Sequence, residues 1–223
     1  MTTLPDLSLI ETRVLGVLVE KQHTVPDTYP LTLLALTAGC NQKTSRDPVL
    51  NATESEVQAA IDRMKTLTLV VESSGGRVMR YAQNVGRVLA VPAQAVALLA
   101  ILMLRGPQTI GELRINCDRL HRFADTSAVE AFLQELAARE AGPLVVLLAR
   151  QPGEREARWA HLLSGMPATT SSTHRVAGET GNDAMAPASL AALEARISDL
   201  VDEVEALKAT VAKLSAALGE STR

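Results

Sequence analysis

The side chains able to do chemistry are few in this chain and poorly placed for it. Its four histidines, His23, His121, His161 and His174, are scattered, and no two stand at the spacing that puts metal ligands on one helix face. The two cysteines, Cys40 and Cys117, offer neither a disulfide framework nor a paired metal motif, which suits a reducing compartment. Cys40 follows a predicted helix end, where the helix dipole raises a thiol pKa rather than lowering it, and it reads as structural. Glu20-Lys21 reads as a solvated helix end rather than an acid–base pair, and Tyr29 and Trp159 as packing residues. Gly75-Gly76 lies in a hairpin turn, not in a phosphate loop between a strand and a helix. No catalytic residue, metal ligand or cofactor site emerges, and an enzyme is not expected.

What remains are arginines and lysines, which could meet phosphate. Lys43 and Arg46 lie in a polar loop, Arg77 and Arg80 in a predicted hairpin, and Arg150, Arg155 and Arg158 in a second one. Arg114, Arg119 and Arg122 surround a predicted helix in the second half. Charge balance does not favour nucleic acid outright. The net charge is −3, and residues 1–90 carry nine basic and nine acidic side chains against eight of each in residues 91–165.

These residues need a scaffold, and the pattern supplies one. Leu9, Ile10, Val14, Leu15, Leu18 and Val19 recur at helical spacing. A short extended piece follows over residues 24–27, and a second helix is expected to begin at Tyr29-Pro30, where a first turn tolerates proline. Gly39 is read as its left-handed stop. Thr53 and Glu56 have the spacing of a capping box before a third helix whose stripe is Val57, Ala60, Ile61, Met64 and Leu67. Residues 69–72 and 78–81 flank a glycine turn and read as a hairpin. The order then returns. A strongly apolar helix ends at Gly106-Pro107, and capping boxes are expected at Thr109/Glu112 and at Ser127/Glu130. Residues 144–149 and 157–163 close a second hairpin. Val57 and Val129 stand 72 residues apart, as do Ile61 and Leu133.

The expected fold is therefore mainly α with small β-hairpin wings: winged helix-turn-helix domains at 6–88 and 91–165, a linker at 166–187 and a coiled-coil helix at 188–218. Aromatic residues make up only 2% of the chain, so its cores must be aliphatic. As a random coil the linker would span about 25 Å. Beyond it Leu190, Ile197, Val204, Val211 and Leu218 fall at a positions, and Leu193, Leu200, Leu207 and Leu214 at d. Branched residues at the middle a positions with leucine at d favour a parallel two-stranded coiled coil. A homodimer held by Leu193, Ile197, Leu200, Val204, Leu207, Val211 and Leu214 is expected. The bland alternative is one amphipathic helix lying on the protein's own surface.

The stretch 18–49 resembles the YceH-like family of bacterial proteins. The resemblance is carried by Glu20-Lys21-Gln22, Tyr29-Pro30-Leu31, Ala35-Leu36-Thr37, Cys40-Asn41-Gln42-Lys43, Arg46 and Pro48-Val49, and it continues to about residue 165. Leu34, Ser45 and Asp47 stand where the family pattern has Asn, Asn and Glu. The resemblance implies tandem winged helices and no particular activity.

Two functions stay open. One is a dimeric regulator binding double-stranded DNA through Lys43, Arg46, Arg77 and Arg80, helped by Arg150 and Arg155. Its third helices would meet phosphate poorly, since they are expected to expose Glu54, Gln58, Asp62 and Lys65 in one half and Glu130, Gln134 and Glu135 in the other. The other is a module that binds another protein, a use to which acidic helix faces are suited. No signal peptide or membrane span is read, and a bacterial cytoplasmic location is expected.

Overall fold

The structure, a computed structural model, describes residues 6–74, 78–150 and 153–167 together with Lys208. The heptad residues of 188–218 named above, and Arg77, lie outside the described residues.

Helix α1, Leu9–Thr24, opens on a capping box: Ser8 Oγ accepts the Glu11 amide while the Glu11 carboxylate accepts the Ser8 amide. Every residue from Glu11 to Val19 is buried. A helix buried all round needs neighbours on every side, and three surround it: α2 (Leu33–Cys40), α3 (Glu54–Thr66) and α5 (Ala93–Arg105). Helix α5 is likewise buried from Ala95 to Leu104. The two apolar helices thus form the shared centre of one compact unit, residues 1–171. Gly16 permits their approach, because a Cβ there would stand 2.9 Å from Leu104 Cγ.

Between α1 and α2 the chain departs from the sequence expectation. Helix α1 runs on through Thr24, and a 3-10 turn occupies Pro26–Thr28. The extended contact comes later, at Leu31, whose amide and carbonyl both bond to Tyr81 at 3.0 and 2.8 Å. With Leu31 committed to that bridge, α2 starts after Thr32, whose Oγ1 accepts the Ala35 amide. Pro30 therefore precedes the helix rather than opening it. Gly39 lies inside α2 and does not end it by a left-handed turn. Its role is close approach: a Cβ at Gly39 would stand 2.6 Å from Val17 Cγ1.

The expected Thr53/Glu56 box opens α3. Strands β1 (Val70–Ser73) and β2 (Arg80–Gln83) pair antiparallel, with Val70 opposite Gln83. A four-residue helix α4, Val85–Val88, leads into α5. Gly106, at φ 73°, ends α5 as expected. The Thr109/Glu112 box opens α6, Ile110–Cys117. Helix α7, Thr126–Ala137, does not use the expected Ser127/Glu130 box. Asp125 is its N-cap, accepting the Ala128 amide at 2.8 Å, and Ser127 is already helical. Strands β3 (Val145–Leu147) and β4 (Trp159–His161) form the second hairpin.

The molecule is thus mainly helical, with two small hairpins. The repeat extends to detail. Val57, Ile61, Val129 and Leu133 are all fully buried. Leu31 bridges Tyr81 just before the cap Thr32, and Gln108 bridges Trp159 just before the cap Thr109. Among the described residues no helix is long and apolar enough to cross a membrane.

Two glycines make opposite predictions. Gly39→Ala should destabilise by about 1–3 kcal/mol through overpacking against Val17. Gly111→Ala, inside α6 with only Thr109 Oγ1 near the added methyl, at 3.9 Å, should stabilise by about 0.5–1 kcal/mol. Urea denaturation of each variant checks both signs.

Candidate functional site

The largest concentration of buried charge lies where the loop between α2 and α3 meets α1 and the end of α5. Arg46 is 6% exposed, with its side chain fully buried. Its two terminal nitrogens donate to Glu20 Oε1 and Oε2 at 3.1 and 2.6 Å, and its Nε donates to the Gly39 carbonyl at 3.2 Å. Lys21 adds a second cation, 3.1 Å from Glu20 Oε2. Arg13, also fully buried, donates to the Cys40 and Pro48 carbonyls, while its Nε has no partner. From the second half, Arg105 donates to Ser45 Oγ at 2.7 Å, and the Asp47 amide donates to the Leu104 carbonyl at 2.8 Å. Loop, first helix and fifth helix are thereby fastened at one place.

Burial raises the Glu20 carboxyl, but the hydrogen bonds and charge of Arg46, aided by Lys21, outweigh it and hold the pKa below the ordinary value. For Arg13, burial and then the like charge of Arg46 lower the pKa, against the opposing charge of Asp47. Burial pushes the Cys40 thiol up to about 12, and the Cys117 thiol likewise. Both therefore remain protonated at neutral pH and make poor nucleophiles. Burial drives His161 down to about 4, and its buried Nδ1 lacks a partner.

The sequence-derived phosphate contacts separate on this scaffold. Lys43, Arg80, Arg150 and Arg155 are exposed. Arg80 leans back to donate to the Thr28 and Pro30 carbonyls at 3.2 and 2.8 Å. Arg46 was expected at the surface of its loop, but the bidentate Glu20 contact draws it inside, where it cannot meet phosphate without breaking that pair. Arg77 lies outside the described residues. Arg158 is engaged by Glu112 at 2.8 Å and by Glu154 at 3.1 Å. On α3, Glu54 and Asp62 face solvent as expected, whereas Gln58 and Lys65 are half-buried. Gln58 accepts the Tyr81 hydroxyl, and Lys65 pairs with Glu72. On α7, Glu130, Gln134 and Glu135 are exposed as expected.

Three members of the buried cluster were not read from the sequence as such. Glu20 was expected to be solvated. Arg13 carried a usable signal, since its helical neighbours at three and four positions are Leu9, Ile10, Gly16 and Val17; a charge inside an apolar stripe implies a buried partner. Arg105 carried none, because the helix that holds it ends there.

The network has a pH signature. The Glu20 pKa is lower folded than unfolded, so its stabilisation is complete above the unfolded carboxylate range and is lost as pH falls through the folded value. His161 acts in the same direction: with a folded pKa of about 4 against an ordinary 6.5, the unfolded chain takes the proton first as pH drops through that interval. Stability should therefore decline from about 6.5 downward, with His161→Leu removing the upper part of the decline. Glu20→Gln should cost about 3–5 kcal/mol at neutral pH by leaving Arg46 without its charge partner, and should flatten the lower part. Urea titrations across the acid range measure each effect.

Comparison with known proteins fits this architecture to a family without adding chemistry to it. Residues 7–154 match the family model described as "Protein of unknown function, DUF480". The chain is 56% identical to a UPF0502 protein of Burkholderia orbicola, over 97% of this chain and 91% of the relative. It is 57% identical to that of Burkholderia vietnamiensis over the same shares. With the UPF0502 protein of Dechloromonas aromatica it shares 57% over 95% of this chain and 97% of the relative. At that identity and coverage the chain belongs to the DUF480/UPF0502 family, the YceH-like proteins, whose function is unknown.

Proposed function

We propose that the chain is a dimeric DNA-binding protein of the bacterial cytoplasm, a regulator built from two tandem winged helices. It grips duplex DNA through loop and wing cations rather than reading the major groove with its third helices. The observation that carries this reading is the repeated unit of three helices and a hairpin, each hairpin joined by a bridge to the residue before its second helix. On that scaffold Lys43, Arg80, Arg150 and Arg155 face solvent. The outer face of α3 opposes deep entry into a groove, since Glu54, Glu56 and Asp62 would all approach phosphate.

These four phosphate contacts alone give a slope of about −3.6 in log affinity against log salt, or at least roughly a hundredfold loss between 50 and 200 mM, and any further contact steepens it. Fluorescence anisotropy with labelled random and genomic duplexes measures it. Absence of binding by the unmodified protein at low salt would remove this reading.

A second reading, that the winged helices bind another protein, has its own observation. The exposed side of α2 is apolar: Leu34 is 68% exposed, and Ala35 and Ala38 face solvent beside it. Contiguous exposed apolar surface marks interaction sites, and the acidic face of α3 suits a basic partner.

Self-association belongs to either reading. The heptads of 188–218 are suited to a parallel coiled coil, and two weak sites joined in one dimer gain effective concentration on a single duplex. Sedimentation should show a dimer for the full chain at micromolar concentration and a monomer for a chain ending at Gly165. Two monomers would overturn the dimer.

A further inference from the structure

We propose that the second half engages DNA first, through the turn between α6 and α7, which carries the exposed Arg119 and Arg122, is reached by Arg114 from α6, and leads into an exposed first turn with Thr126 and Ser127. This rests on the DNA-binding reading above and assigns it a surface that differs from the loop of the first half.

The argument compares two equivalent turns. In the first half, the turn between α2 and α3 has one exposed cation, Lys43, because Arg46 is spent internally on Glu20. It delivers a helix whose first turn carries Glu54 and Glu56, both exposed. A phosphate approaching there meets two carboxylates. In the second half, Arg114, Arg119 and Arg122 are all exposed. The Arg114 guanidinium reaches the Ala124 carbonyl at 3.5 Å, which places it beside the start of α7. Arg119 makes no ion pair among the described residues. Arg122 pairs with Asp118 at 3.2 Å, with side chains 85% and 56% exposed. So open a pair is held weakly and can yield its cation to phosphate. The first turn of α7 contains no acidic residue; its cap Asp125, which accepts the Ala128 amide, keeps one negative charge there, against the two carboxylates in the first turn of α3. Thr126 and Ser127 instead offer exposed hydroxyls, which can also donate to phosphate oxygens.

Ion pairing elsewhere sharpens the contrast. In the first half Arg63 is held by Glu11, Lys65 by Glu72, and Lys21 and Arg46 by Glu20. Four of its nine cations are thus engaged by carboxylates. The same scaffold therefore presents two different surfaces, and only the second offers clustered positive charge at the head of a third helix.

The test is anisotropy of a labelled random-sequence duplex with the full-length protein and two charge-matched triple variants. One is Arg114→Glu, Arg119→Glu, Arg122→Glu. The other is Lys43→Glu, Arg80→Glu, Arg87→Glu, at three exposed positions of the first half. The second-half variant should bind at least about tenfold more weakly than the first-half variant, with a salt slope reduced by roughly three. The corresponding three Arg→Lys changes should retain most of the binding. Circular dichroism and melting confirm folding; should the triple variant unfold, Arg119→Glu with Arg122→Glu takes its place. Equal losses in the two variants, or a larger loss in the first half, would overturn the proposal and leave DNA binding standing. Failure of the unmodified protein to bind at low salt would overturn both.

Discussion

Arg46 and Arg13 reach no solvent, and the arrangement of the first half depends on how their charge is accommodated. An ionised group taken out of water costs several kcal/mol, and that cost is recovered only when each donor finds a partner. Arg46 recovers it through both oxygens of Glu20 and through the Gly39 and Ser45 carbonyls. Arg13 does so less completely, through the Cys40 and Pro48 carbonyls, with one donor left over. Those carbonyls belong to the end of α2 and to the loop after it. The two arginines therefore satisfy backbone that no helix or strand can satisfy, at the place where the chain leaves α2 and turns toward α3. A hydrophobic pair of similar volume would fill the space but leave the carbonyls bare.

The path of the loop also sets how the two halves meet. The loop is tied to α5 by Arg105 and by the Asp47 amide, while α1 and α5 share the apolar centre and approach closely at Gly16. A core packed at crystal-like density transmits displacement instead of absorbing it. The second half can rotate against the first only if Leu104 leaves Gly16 and the loop releases α5 together. The two hairpins and the two α-helical turns are consequently held at one spacing within residues 1–171. A partner contacting both halves meets a preformed surface and spends little of its binding energy on ordering it.

Much of the fold was legible because it rests on local rules. The hairpins, the caps at Thr53 and Thr109 and the stop at Gly106 each follow from a few adjacent residues. The 72-residue repeat then reinforces the third helices and the hairpins with a second example. Most of the misreadings come from residues distant in sequence, and one, at Ser127, from a nearer competitor for the same amide. Pro30 could open a helix on local grounds, yet Leu31 is claimed by Tyr81, fifty residues on. Gly39 could end one, yet it is required by Val17 on the neighbouring helix. Ser127 has a glutamate three residues later, but Asp125 precedes it and takes the Ala128 amide, so the helix starts earlier. Arg46 is the costliest case for function. A basic residue in a polar loop reads as exposed, and only the folded position of Glu20 reveals that it is not.

The repeat also separates what the scaffold requires from what it leaves free. Positions that pack agree between halves: Val57 with Val129, Ile61 with Leu133, and Tyr81 with Trp159 at the bridge. Positions at the two helix–helix turns do not agree. The first half turns its arginine inward, against a glutamate of α1, and opens its third helix with two glutamates. The second half leaves three arginines outside and opens with two hydroxyls. The ion pair at Glu20 is what makes this divergence structural rather than incidental. An inward Arg46 serves the loop, so it is withdrawn from the surface, and Lys43 is the loop's remaining exposed cation. Where no such pair binds the turn, as between α6 and α7, the arginines stay in solvent. The first half thus turns one arginine of its helix–helix turn inward to hold the loop, whereas the second leaves the arginines of the equivalent turn exposed.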